Sequence, residues 1–354
     1  MPGPGVIKAI FCALVLSATL TACWKQTRAV PDLKNVEEQL AFTCAYEKDH
    51  LPKLDPDADK LYRYARWLTK NQIEKEDPTR YPEMARYDRI ATAHGHYKAN
   101  LDLRDMIGQG QAHSDDPVKE TLDLTQELID RGIPGGYYDM GRYLKAGYGV
   151  KQDDELANRY YRKAADMGNP EAQYLVGDKL SSLTISKPIP FAIGNQMQKC
   201  AAEQGHGKAA LEYGTQMVLE KKYAEAIKYF ELGTKWGEAG AATSLKNGFG
   251  PIPAAQREWQ DIGLQQDPER ALRYRSIAII LSNYAYAHPS VPELDDIVPL
   301  PPAPLPAWDG KLKWLEAFKA NVPPEKPSEA LIASMAAAKG LDPKTGLPLK
   351  KAGH

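Results

Sequence analysis

The chain has 354 residues, with 45 Lys and Arg against 46 Asp and Glu and a formal net charge of −1. Such a balance, with no long run of either sign, argues against nucleic acid as the main partner, because phosphate binding needs clustered cations. The length is enough for two compact domains or one elongated repeat array, and nineteen tyrosines against six phenylalanines suit helix faces with a wet edge.

The chain opens with "MPGPGVIKAIFCALVLSATLTAC". Lys8 precedes an apolar run from Ala9 to Leu20, shorter than the roughly 20 residues a membrane span takes. This is the layout of a signal peptide. The small residues before Cys23 resemble the lipobox of bacterial lipoproteins. That resemblance implies cleavage after residue 22, acylation of Cys23 and a lipid-anchored protein of the periplasm. Trp24 stands where an Asp would resemble an inner-membrane retention signal, which points to the outer membrane. An ordinary secretory signal that meets a cysteine by chance is the alternative. Losing Lys8 takes the formal charge to −1 − 1 = −2. Only Cys44 and Cys200 then remain as thiols. In an elongated fold, cysteines so far apart are not expected to meet, and no zinc-type spacing exists.

Residues 23–56 read as a tether and N-terminal segment, with Asp55-Pro56 as a helix start. In "DADKLYRYARWLTKN" the stripe Leu61, Tyr64, Ala65, Leu68 predicts an amphipathic helix. The segment "PEMARYDRIATAHGHYKANLDLRDMIGQG" predicts a long helix or a helix pair, and Asp115-Asp116-Pro117 caps a helix that stops at Gly132. Residues 57–131 thus form a helical N-terminal cap. Turn glycines then recur at Gly132, Gly168, Gly205 and Gly237, spaced 36, 37 and 32 apart. Gly136, Tyr138, Met140 and Gly141 match Ala172, Tyr174, Val176 and Gly177 at an offset of 36, and Ala209, Leu211, Tyr213 and Gly214 continue the series. A period in the mid-thirties with two helices per unit means an α-solenoid over residues 132–250. Small residues belong where helices cross at 8–10 Å. A further helical unit covers 251–287, then a proline-rich connector, two short helices and a tail cover 288–354. The fold class is all-α, with about five antiparallel helix pairs in a right-handed curved array between residues 57 and 287.

The units around "GGYYDMGRYLKAGYGVKQDDELANRYYRKAADMGNPEAQYLVG" closely resemble Sel-one-like repeats, relatives of the tetratricopeptide repeat. Gly141, Gly147, Gly149, Val150, Asp153, Ala157, Tyr161, Ala164 and Ala165 fit that pattern, while Tyr160 replaces its tryptophan and Leu144 its first tyrosine. The second unit has "SSLTISKPIPFAIGN" in place of the Gly-x-Gly-Val turn. The segments "FTCAYEKDHLPKLDPDADKLYRYARWL", "RIATAHGHYKANLDL" and "AAAKGLDPKTGLPL" are similar to a family of proteobacterial lipoproteins with these repeats. Members of that family include immunity proteins encoded beside type VI secretion phospholipase effectors of the phospholipase D type. The resemblance implies a periplasmic protein that binds such a toxin and blocks its lipid hydrolysis, with no catalytic residues and no cofactor.

Candidates for chemistry are few. His94-Gly95-His96 offers metal-binding side chains, with His50, Glu47 or Asp49 as further ligands. On a helix, however, positions i and i+2 face different ways, so packing against neighbouring helices is the plainer reading. His113, His206, His288 and His354 fall in predicted loops and ends and read as surface residues. Asp153-Asp154 reads as a helix cap, and Tyr137, Tyr138, Tyr143 and Tyr148 as core and groove lining. No nucleophile elbow and no phosphate-cradling loop appears. If the first helix of each pair lines the concave face, the positions that vary between units are free for recognition: Tyr137, Arg142, Gln173, Asp178, Glu212 and Gln216. The expected partners are a secreted lipase toxin and, through the anchor, a membrane. An envelope scaffold is the alternative function, and a metal-dependent hydrolase using His94 and His96 a minor one.

Overall fold

The computed structural model describes residues 40–182, 188–251 and 261–349. Cys23, the signal-peptide segment, part of the second unit's loop and His354 lie outside them. Helices α1 (Pro56–Glu74), α2 (Tyr81–Ala93), α3 (Tyr97–Gly108), α4 (Pro117–Asp130), α5 (Pro134–Ala146) and α6 (Asp154–Asp166) follow one another through short turns. They continue as α7 (Pro170–Ser181), α8 (Pro188–Glu203), α9 (Gly207–Leu219), α10 (Tyr223–Lys235), α11 (Ala239–Phe249) and α12 (Pro268–Asn283). Each odd-numbered helix packs on the even-numbered one after it, and each pair packs on the next. This is a helical-repeat solenoid.

Local sequence explains the helix limits. Asp55 accepts the amides of Asp57 and Ala58 to start α1, whose stripe Leu61, Tyr64, Ala65 and Leu68 is buried. Asp116 and Asp153 cap α4 and α6 in the same way. Each of the first five pairs ends on a left-handed glycine, at Gly132, Gly168, Gly205 and Gly237, and Gly95 belongs to the same series, 132 − 95 = 37 residues earlier. The N-terminal cap helices therefore keep the register of the repeats. The residue after each glycine starts the next odd-numbered helix, with His96, Asn169 and His206 each accepting an amide through its side chain. Small residues set the spacing: a Cβ on Gly177 would lie 2.9 Å from the Gly194 carbonyl oxygen across the α7–α8 crossing.

Beyond α12 the chain turns back. Helices α13 (Leu294–Ile297), α14 (Lys313–Ala320) and α15 (Glu329–Ala338) follow. Phe318 and Trp314 of α14 stack on each other beside Tyr284 at the end of α12. On the other side, Lys70 of α1 donates to the Phe318 carbonyl at 2.6 Å, and Trp67 donates to that of Asn321. Helix α15 adds Ile332, Met335 and Ala336 to the core of α1–α3, and Arg86 pairs with Glu329 at 2.6 Å. The C-terminal segment thus links the last helix pair to the first and covers apolar surface of both, with Leu294, Ile297 and Leu312 on the last helices and Ile332 and Met335 on the first.

The chain before α1 also folds back. Residues Leu40 to Asp49 form a strap across the turns between α6 and α7 and between α8 and α9. Cys44 is disulfide-bonded to Cys200 of α8, with the two Cα atoms 5.8 Å apart. This corrects the expectation that the two cysteines stay apart. That expectation took the N-terminal segment for a free tether, whereas Phe42 is buried against Met197 and Cys200. The strap's backbone is read by repeat side chains: Gln173 and Gln204 donate to the Ala45 carbonyl, Arg162 donates to that of Ala41, and the Glu47 amide donates to Gln204. Gly168 is needed twice over, for its φ of +92° and because a Cβ there would lie 2.5 Å from the Tyr46 carbonyl carbon.

Candidate partner-binding groove

The odd-numbered helices α1, α3, α5 and α7 line one recess of about 620 Å³. Its rim and walls carry the cations Arg66, Lys98 and Arg142, the acids Glu47, Asp102, Asp105 and Glu171, and the rings of Tyr62, Tyr97 and Tyr138. Arg66 lies over Asp102 at 3.3 Å, and Lys98 over the Tyr97 ring at 6.0 Å. Burial pushes the Asp102 and Asp105 carboxyls above the usual range, and burial likewise raises Glu47.

The floor is fixed by one buried ion pair. Arg104 of α3 donates to Asp139 of α5 at 2.8 Å, to Thr125 of α4 at 3.0 Å, to Tyr143 at 3.1 Å and to Asn100 at 2.9 Å. Three helices meet at this guanidinium.

The wall repeats a small motif. Asp59 and Tyr62 of α1 face His96, with the ring centroids of Tyr62 and His96 4.3 Å apart and His96 Nε2 3.4 Å from Asp59. Glu171 and Tyr174 of α7 meet His206 in the same manner, at 4.5 Å and 3.3 Å. Each histidine caps its helix through Nδ1, which accepts from Ala99 or Ala209. Burial lowers the His96 pKa, so its imidazole is neutral at pH 7, and the His206 hydrogen bond lowers that of Glu171. In α5 the motif is incomplete, because Gly135 stands where Asp59 and Glu171 stand and Asn169 replaces the histidine. Glu47 of the strap supplies the missing carboxylate, accepting from Asn169 Nδ2 at 2.8 Å. A Cβ on Gly135 would lie 3.9 Å from the Glu47 carboxylate.

The structure treats the six recognition candidates unequally. Arg142 lines the recess with its side chain 59% exposed, 3.5 Å from Asp139. Asp178 is exposed on α7. Glu212 and Gln216 are half-buried, the first accepting from Tyr174 and Gln198, the second donating to Glu220. Tyr137 is half-buried beside Tyr160, its hydroxyl aimed at the Ile129 carbonyl. Gln173 is a correction: it is fully buried, donating to Ala45 and Ala165 and accepting from Gln204. Its side chain differs from those in other units because it reads the strap, so it is not free for a partner.

Among the histidines, His94 contacts the Met335 carbonyl at 3.0 Å and His96 caps α3, so the two rings serve different neighbours. Among the described residues no group of three His, Cys, Asp or Glu side chains is arranged to hold a metal ion. His113 is exposed, as is His288, whereas His206, in the turn between α8 and α9, is half-buried and caps α9. Lys98, Asn169 and Glu171 were not singled out by sequence, and Glu47 only as a candidate metal ligand. The signal for the wall was the position after each turn glycine, which places His96, Asn169 and His206 in register.

Comparison with known proteins fits this architecture. The Sel1 repeat family model matches residues 134–169 and 200–235, and a domain of unknown function, DUF6396, matches 241–349. The crystal structure of immunity protein Pa5087 from Pseudomonas aeruginosa superposes with a TM-score of 0.54 at 31% identity, covering 75% of this chain and 96% of Pa5087. The chain belongs to the Sel1-repeat family of Pa5087. Immunity protein PA5088 from the same organism is similar at 29% identity and a TM-score of 0.57, over 74% of this chain and 95% of its own. NMB1327 from Neisseria meningitidis serogroup B is 29% identical over 170 residues, and this Sel1-repeat protein spans 35% of NMB1327's length. Two of these relatives, Pa5087 and PA5088, are immunity proteins.

Proposed function

We propose that this Sel1-repeat protein is a lipid-anchored immunity protein of the periplasm that binds a type VI secretion phospholipase of the phospholipase D type and blocks its lipid hydrolysis. The observation that carries the reading is the likeness to Pa5087 and PA5088 across nearly their whole lengths. The groove supports it: charged tips of both signs and tyrosine rings surround a recess with a rigid floor. Arginine and tyrosine are common anchors of tight interfaces, and mixed charges set register and steer approach. Arg142, with Lys98 and Arg66 beside it, is the central contact. Cys23 is the anchor, which concentrates the inhibitor at the surface the toxin attacks. No described helix is long and apolar enough to cross a membrane.

The test is co-expression with a periplasm-directed lipase encoded at the adjacent locus. Protection of the cells, together with co-purification of the two proteins, is the expected result. If the protein neither protects nor binds, the immunity reading falls and an envelope scaffold takes its place.

A further inference from the structure

The strap is not part of the repeat, yet it completes the groove. Glu47 stands where α1 and α7 use their own acids, with Glu171, Asp139 and Lys98 around it and Asn169 bonded to it. The non-covalent ties are the hydrogen bonds from Gln173, Gln204, Arg162 and Asn169, those of the Glu47 amide to Gln204 and the Tyr46 hydroxyl to Glu203, and the ring of Phe42, fewer than the ten residues they act over, while Lys48, Asp49 and His50 are exposed. A hydrogen bond contributes no more than fixing one residue's backbone costs, so these contacts alone do not order the strap. The remaining tie is the disulfide between Cys44 and Cys200.

We propose that this disulfide is a latch that presents Glu47 in the groove, so that the recognition surface is complete only in the oxidised chain. Forming the latch takes one proton and one electron from each thiol. The two electrons pass to a disulfide oxidant, which leaves as two thiols, and a dithiol reductant reverses the step. Reduction frees the strap, withdraws one carboxylate from beside Lys98 and leaves Asn169 without its acceptor. The latch stands on the strap geometry alone, while its consequence for a partner rests on the function proposed above.

The experiment compares the oxidised protein with Cys44→Ser/Cys200→Ser by amide hydrogen exchange. The Glu47 amide, bonded to Gln204 at 2.7 Å, is the reporter. In the double variant its exchange should accelerate by about 100-fold or more while the amides of α7 stay slow. Should the double variant not fold, the folded wild-type protein treated with dithiothreitol gives the same comparison. Unchanged slow exchange at Glu47 without the disulfide overturns the latch. The second measurement is affinity for the lipase of the adjacent locus, which should fall about 10-fold or more in the double variant and in Glu47→Gln. Equal binding by all three overturns the role of Glu47. Failure of the oxidised wild-type protein to bind that lipase counts against the function proposed above, and the exchange result still decides the latch.

Discussion

Arg104 gives the sharpest test of how the groove is built. It and Asp139 are 3% and 5% exposed, and the guanidinium spends its donors on Asp139, Thr125, Tyr143 and Asn100. Arg104→Met keeps the volume but leaves the Asp139 carboxylate buried and largely unpaired. Removing one partner of a buried pair costs about 3–5 kcal/mol. Arg142, 3.5 Å from the other Asp139 oxygen, compensates in part, which puts the expected loss near about 3 kcal/mol. Replacing both partners, as Arg104→Met/Asp139→Leu, removes the orphaned charge and should restore about 2 kcal/mol of that loss. Urea unfolding followed by circular dichroism measures both as shifts of midpoint at constant slope. If the double variant loses the sum of the two single losses, the pair does not act as one unit and the account of the floor is wrong.

Other consequences follow from packing, titration and anchoring. Gly177→Leu and Ala165→Leu place bulk at closed crossings and should each destabilise by about 1–3 kcal/mol or more; an unchanged melting temperature would mean the repeat register is wrong. Burial, helped by Asp295 and opposed by Lys235, raises the Glu231 carboxyl to about 7. A raised carboxyl contributes stability below its unfolded value that is lost as pH rises through the folded one. Stability should therefore decline from about pH 4.5 to about 7, and Glu231→Gln should flatten that slope in melting curves. Cys23→Ser should release the protein from membranes into the soluble periplasmic fraction; retention there against salt washing refutes the lipobox.

Much of the fold was legible because the repeat writes itself at a fixed period. The glycines at 132, 168, 205 and 237 mark left-handed turns, which any other residue strains. Gly95 carries the same register one unit earlier, but between two histidines it drew notice as a metal motif. The strap was illegible for a physical reason. Residues 40–49 have no helical period, and their place is set by tertiary contacts to Gln173, Gln204 and Cys200 from distant units. Hence Glu47 was missed as a groove residue, and Gln173, a variable position, was taken for a free one. Arg142 was readable because a long cation on the groove side of an otherwise committed helix has little to pack against.

The central claim is that the groove of the odd-numbered helices binds the toxin. Its most direct test is the affinity of the purified oxidised protein for the lipase of the adjacent locus, compared with a Lys98→Glu/Arg142→Glu variant. Both side chains are exposed, so the fold should persist, with melting lowered only by the lost contact of Arg142 with Asp139. The account predicts binding by the unmodified protein and a loss of at least about 2 kcal/mol, roughly 30-fold in Kd, on charge reversal. Tight binding that ignores the reversal would contradict it.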